Sequence, residues 1–194
     1  MSQASTTVNW DGNIVQLIWR PYKNLPNEAL ITSVHGYCFY EGKILLVKIK
    51  DRGFNVPGGH IEKGEAPEDA FYREAMEEAY VTGKVMLLGY IEVSHKENPL
   101  FNPDGKYPLV GYQVYYRMDI EHILPFQETD ESAARVWVEP DVLHNVIEDH
   151  RIQKIILDEA LDVSLPRLSR ILSSKTENAR TITCTCLGGN HEKG

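Results

Sequence analysis

Gly59-His-Ile-Glu-Lys-Gly-Glu65, then seven residues, then Arg73-Glu74-Ala75-Met76-Glu77-Glu78 is the stretch that decides how this chain is read. A glycine-bounded loop runs into a segment with helical periodicity. At roughly 100° per residue, Glu74, Glu77 and Glu78 share an arc about 100° wide. Tyr72, Ala75, Met76 and Ala79 fall on the opposite side and read as the core-facing stripe. Like charges three and four residues apart repel by roughly 0.2–0.5 kcal/mol per pair, so stability alone does not explain three glutamates on one arc. A hard divalent cation such as Mg²⁺ would remove that repulsion, because it takes oxygen ligands and keeps positions for water and phosphate. The plain alternative is a solvated amphipathic helix whose acids do nothing.

The flanks support a helix from about Pro67 to Tyr80. Pro67 suits the first turn, and Glu68 and Asp69 complement the helix N-terminus. Upstream, Leu30–Tyr40 is rich in β-branched and aromatic residues, and Glu41-Gly42 separates it at hairpin distance from Lys43–Lys50. In that second strand Leu45, Val47 and Ile49 face one way, and Ile44, Leu46, Lys48 and Lys50 the other. Residues 13–20, Val85–Ser94, Leu109–Met118 and Ala134–Val138 read as further strands, Pro140–Ile147 as a short helix and Arg151–Leu161 as a longer one. The segment from His95 to Pro108 reads as a long polar loop, a length often associated with function. Ser164–Ser174 reads as one more helix.

With these residues in view, the chain resembles the Nudix hydrolases. Their signature is Gly, five residues, Glu, seven residues, then Arg-Glu-apolar-x-Glu-Glu-x-Gly-apolar. This chain matches it at Gly59, Glu65, Arg73, Glu74, Ala75, Glu77, Glu78 and Val81, and departs from it at Tyr80, where the family has glycine. That glycine eases the exit from the helix, so Gly83 is the alternative cap. The resemblance covers roughly residues 30 to 160. It implies an α/β fold, an α/β/α sandwich with a mixed sheet and a C-terminal helix. Residues 1–29 then read as an N-terminal extension, 30–162 as the domain, and 163–194 as a C-terminal helix and flexible tail.

The roles that follow are those the resemblance implies. Glu74 and Glu78 are metal ligands, with a backbone carbonyl near Gly59 as a further one. Glu77 is a third ligand or the base that deprotonates water. Glu65 and Arg73 form an ion pair that holds the loop to the helix. A further catalytic acid is expected on the loop before Ala134–Val138, with Glu131 first and Glu128 as the alternative. Arg52, Phe54 and Asn55 are candidate substrate contacts, as are Tyr107 and Tyr112, against the simpler reading of the tyrosines as core. Lys48 and Lys50 are candidate phosphate contacts, against the simpler reading of a solvated strand face, and His95 is a candidate base or specificity contact, against the simpler reading of an exposed loop histidine. The cofactor is Mg²⁺, with Mn²⁺ as a substitute. The reaction is hydrolysis of a pyrophosphate bond in a nucleoside diphosphate linked to another group. A nucleoside triphosphate, an oxidised one and ADP-ribose all stay open, since Pro99 lies near the proline of the ADP-ribose group but not at its position. A nucleotide-binding sensor without activity is the alternative. An isoprenoid-diphosphate isomerase of the same fold would need a catalytic cysteine, for which Cys38 has no matching context.

Composition narrows the partners. The chain has 194 residues, 42% hydrophobic, and a formal net charge of −8. Acidity on that scale argues against a nucleic-acid surface, which runs on a basic footprint, and leaves room for a small phosphorylated substrate. There is no apolar run of membrane-spanning length and no signal-peptide pattern near Met1, so a cytoplasmic protein is expected, with a homodimer open. Three cysteines cannot build a framework of bridges. Cys184 and Cys186, with His191, lack the second ligand pair of a zinc site.

Overall fold

The computed structural model describes residues 4–10, 12–21, 24–50, 53–128, 132–147 and 151–163. Among the described residues nine strands form one sheet: β1 (Ser5–Trp10), β2 (Asn13–Arg20), β3 (Ile31–Tyr40), β4 (Lys43–Ile49), β5 (Gly53–Asn55), β6 (Gly58–His60), β7 (Val81–Ser94), β8 (Val110–Ile123) and β9 (Ser132–Val138). Helix α1 spans Pro67–Ala79 and α2 spans Arg151–Asp162, with a 3₁₀ turn at Pro140–Asn145. The strands run in the order β1-β2-β7-β8-β3-β4-β5, with β6 on β3 and β9 on β4. β3 and β8 are parallel and the other pairs antiparallel, so the sheet is mixed.

Alternation along the central strands fills two cores, one on each face of the sheet. Val34, Cys38, Leu45, Val47, Val114, Tyr116 and Met118 meet Phe71, Ala75 and Ala79 of α1. Tyr37, Phe39, Ile44, Leu46 and Tyr115 meet Ile152, Ile156 and Ala160 of α2. β4 therefore buries both faces, with Leu45 and Val47 on one and Ile44 and Leu46 on the other. Helices cover both sides, which makes the α/β/α sandwich. The hairpin turn between β3 and β4 is Glu41-Gly42, with φ of 50° and 83°, the left-handed pair that a two-residue connection requires.

Two elements differ from the sequence reading. β1 alternates exposed and half-buried residues along a polar segment and pairs with β2 from Ser5↔Ile18 to Trp10↔Asn13. Ser5–Trp10 and Asn13–Arg20 are thus strands of the same sheet and belong to the same compact unit as the rest of it. At the end of α1 it is Tyr80 itself that adopts the left-handed conformation (φ 56°, ψ 44°) and donates its N–H to Met76 O at 3.1 Å. Gly83 is not the cap. It lies in β7 opposite Ile120, where a Cβ would come within 2.1 Å of Asp119 O. The expected helix at 164–174 and the Cys184–Cys186 pair lie outside the described residues.

Candidate active site

The site is built where β6 meets the glutamate face of α1. Residues 58–60 pair antiparallel with Ser33–His35 of β3, which stitches the glycine pair into the sheet. A Cβ on Gly59 would lie 2.3 Å from Glu74 Oε1, so only glycine leaves room for that carboxylate. Gly58 N–H donates to Glu78 Oε2 at 2.9 Å. Glu74 and Glu78, one turn apart, thus both bring carboxylate oxygens against the same two residues of backbone.

Arg73 organises the rest. Its Nε and Nη2 donate to the two oxygens of Glu65 at 2.8 and 3.0 Å, a bidentate pair. Nη2 also donates to His60 O at 3.0 Å, and Nη1 to Glu74 Oε1 at 2.9 Å and Glu77 Oε2 at 3.1 Å. Glu65 accepts the Glu62 N–H as well, at 3.0 Å. The Arg73 hydrogen bonds hold the Glu65 carboxyl below the usual carboxylate range. Three acids and the last carbonyl of β6 are therefore held by one guanidinium. Glu77 is the outermost, its side chain 60% exposed against 12% for Glu74.

The far end of α1 is closed by residues remote in sequence. Arg135 of β9 donates through Nη1 to Ala79 O at 2.7 Å and through Nη2 to Leu124 O at 2.8 Å. A cation on the last carbonyls of a helix complements its negative end. Leu124 N–H donates to Tyr80 O at 2.9 Å, and the Tyr80 ring meets Phe126 edge-on at 5.7 Å.

A cavity of about 560 Å³ opens beside Gly58 and Gly59. Ser33, His35 and Gln113 line it from the sheet, Trp10 and Asn13 from the β1–β2 turn, and His95, Asn98, Phe101, Lys106 and Tyr107 from the long loop. Burial, with His60 adding to it, pushes the His35 imidazole down to about 4. It is therefore neutral at pH 7, with Nε2 3.1 Å from Ser33 Oγ and its ring 5.4 Å from that of Tyr115. Buried Tyr115 is pushed up to about 12 and accepts a hydrogen bond from Gln153 Nε2 at 2.7 Å.

The sequence candidates fall into three groups. Gly59, Glu65, Arg73, Glu74, Glu77 and Glu78 come together as described. Phe54 packs against the α2-side core and Asn55 accepts the Val56 N–H at 2.9 Å; both sit on β5, paired with β4. Arg52 and Glu131 lie outside the described residues, and Glu128 is exposed. His95 is half-buried, its ring tilted against that of Phe101 at 5.5 Å, so it is part of the cavity wall rather than a solvated loop histidine. Tyr107 lines the cavity too, whereas Tyr112 packs edge-on against Tyr90. His35, Gln113 and Asn98 carry no periodic signal. The β3–β6 and β3–β8 pairings and the long loop bring them to one place.

The donor set suits a hard cation. Among the described residues no three His, Cys, Asp or Glu side chains form a metal cage. Mg²⁺ does not need one, since it is usually held by one or two carboxylates, waters and substrate phosphate. Glu74 and Glu78 at the glycine backbone could supply such a pair.

Comparison with known proteins places the chain. The protein YtkD of Bacillus subtilis (strain 168), provisionally named an 8-oxo-dGTP diphosphatase, is 28% identical over 159 residues, covering 80% of this chain and 90% of that one. The crystal structure of the Bacillus subtilis pyrophosphohydrolase BsRppH shares the fold, with a TM-score of 0.60 and 24% identity over 84% of this chain and 97% of that one. A NUDIX hydrolase from Nitrosomonas europaea superposes with a TM-score of 0.50 at 19% identity, covering 66% and 87%. The sequence model of the NUDIX domain matches residues 31–159, and on that match, with the signature assembled as described, the chain belongs to the NUDIX domain family.

Proposed function

We propose that the chain is a Mg²⁺- or Mn²⁺-dependent pyrophosphohydrolase acting on a nucleoside triphosphate, oxidised forms included. One observation carries the reading: the Glu74 and Glu78 carboxylates converge on Gly58–Gly59 at the edge of a nucleotide-sized cavity. A divalent cation held there would supply charge neutralisation on the phosphate oxygens. The chain's own part is positioning and proton handling. Water adds to phosphorus, the bridging P–O bond breaks toward the leaving phosphate, and a carboxylate accepts the proton of the water. Glu77 and the loop acids Glu131 and Glu128 are the three bases in contention. Arg73 and Glu65 fix the loop to the helix and take no part in the chemistry. The name of YtkD supports the triphosphate class over ADP-ribose. We place the protein in the cytoplasm with a small-molecule substrate and no nucleic-acid partner, in line with its charge of −8. Among the described residues no helix is long and apolar enough to cross a membrane.

The test is phosphate release, coupled through pyrophosphatase and phosphatase, from a panel of nucleoside triphosphates, 8-oxo-dGTP, ADP-ribose and NADH, with Mg²⁺, Mn²⁺ or EDTA. Metal-dependent turnover of a triphosphate is expected. Turnover of ADP-ribose alone would move the substrate class. Tight nucleotide binding without turnover of any member would favour the sensor.

A further inference from the structure

The cavity wall is unlike the rest of the molecule in charge. The chain carries −8 overall, yet the residues lining the cavity include no Asp or Glu, three histidines and one lysine, Lys106. That lysine lies on the 95–109 loop, far in sequence from the signature, and is brought directly against it. Lys106 Nζ is 3.3 Å from His60 Nε2, and Tyr107 Oη is 3.4 Å from the same nitrogen. The His60 and Tyr107 rings stack at 6.2 Å, with Lys106 Nζ 5.3 Å from the Tyr107 centroid. One imidazole nitrogen offers at most one lone pair, and an ammonium offers three donors. The cluster is therefore rich in donors beyond what His60 can accept, and it opens to solvent at the mouth of the cavity.

Its position is built. His60 follows Gly59 directly, and its carbonyl is held by Arg73 at 3.0 Å. The loop is closed at its neck by His95 N–H to Leu109 O at 2.9 Å. It is tied to the β1–β2 turn by Asn98 Nδ2, which donates to Asn13 Oδ1 at 3.0 Å. Asn98 is 7% exposed, and its Oδ1 accepts the Leu100 N–H at 3.0 Å.

We infer that Lys106, with Tyr107 and His60, binds an oxygen of the substrate's phosphate chain and makes the site selective for nucleoside triphosphates over less charged pyrophosphates. The inference rests on the proposed activity and deepens it. A triphosphate carries more charge than one divalent cation neutralises, and a cation on a loop beside the glycine pair takes up the remainder.

The test uses the full chain and two readouts. The first is steady-state kinetics with dGTP and ADP-ribose in Mg²⁺. The second is calorimetric binding of the α,β-methylene analogue of dGTP. Lys106→Ala should raise the KM for dGTP and weaken the analogue by about tenfold, the scale of one charge-assisted contact. The kcat should stay within about twofold, and ADP-ribose should be affected less. Lys106→Arg should restore most of the affinity, and Tyr107→Phe should show a smaller loss in the same direction. KM and analogue affinity unchanged in Lys106→Ala would overturn the inference while leaving the activity standing. Wild type that binds the analogue through Lys106 but turns over nothing would overturn the activity and leave the clamp.

Discussion

Gly59 and Glu74 compete for one small volume: the space a Cβ would fill on residue 59 is held by the Glu74 carboxylate, 2.3 Å from that position. The glycine is required by a side chain fifteen residues along the chain, not by a turn. The same backbone carries Gly58, whose N–H is on Glu78, so the two carboxylates are placed by one strand.

Gly59→Ala follows from this relationship. The obstacle is the end of a flexible side chain, so the fold should accept the methyl group by moving Glu74. Thermal unfolding is expected to stay within a few degrees of wild type while turnover falls by about a hundredfold, the scale of one lost electrostatic contact in the transition state. Loss of fold and activity together would mean that Gly59 serves the backbone.

Glu78→Gln retains an oxygen to accept the Gly58 N–H and removes only the charge. We expect turnover to drop by at least about a hundredfold, with circular dichroism unchanged. Near-normal activity would remove Glu78 from the ligand set.

The Glu65–Arg73 pair sets a pH dependence. Arg73 lowers the Glu65 pKa in the folded state, so the folded protein binds fewer protons than the unfolded one near pH 4. Its contribution is present above the unfolded value of about 4.3 and is lost as pH falls through the lower folded value. The melting-temperature gap between wild type and Glu65→Gln should hold from pH 5 to 8, at about 2–4 °C for roughly 1 kcal/mol, and shrink below about pH 4. A gap independent of pH would show that charge is not what holds the loop.

At the end of α1, Tyr80 combines a left-handed backbone with an edge contact to Phe126. Tyr80→Ala keeps the strain and loses the contact, whereas Tyr80→Gly relieves the strain. The glycine variant should be the more stable of the two by about 1 kcal/mol, read from denaturation midpoints. The reverse order would mean that the left-handed turn is not what residue 80 supplies.

How much of this was legible in the sequence depends on the range of the interactions. The glutamate arc, the Pro67 start and the β3–β4 hairpin are set by residues within a turn or two of one another, and they appear where the pattern puts them. β6 was hidden because two glycines carry no strand propensity. Its pairing is dictated by room for Glu74 and by the edge of β3. β1 was hidden because it is polar and adds to β2 through backbone hydrogen bonds. Tyr80 as a cap depends on Phe126 and Arg135, more than forty residues away in sequence. The cavity draws on Asn13, His35, His60, Asn98, Tyr107 and Gln113, none related by period. Order alone gave the signature side of the site and, of the cavity wall, the long loop with Tyr107 as a candidate.

The stitching of β6 into β3 has a consequence for how the two sides of the cavity open. Gly59 pairs with Val34 of the buried strand β3 and the Gly58 N–H is held by Glu78, so hydrogen exchange at Gly59 should follow global unfolding. The 95–109 loop is closed by short-range turns and a few side-chain bonds, and its amides should exchange through local openings at lower cost. Ligand entry then needs no disturbance of the carboxylate wall. It also lets insertions and substitutions in the loop retune what enters, while the slow-exchanging half keeps the chemistry it has.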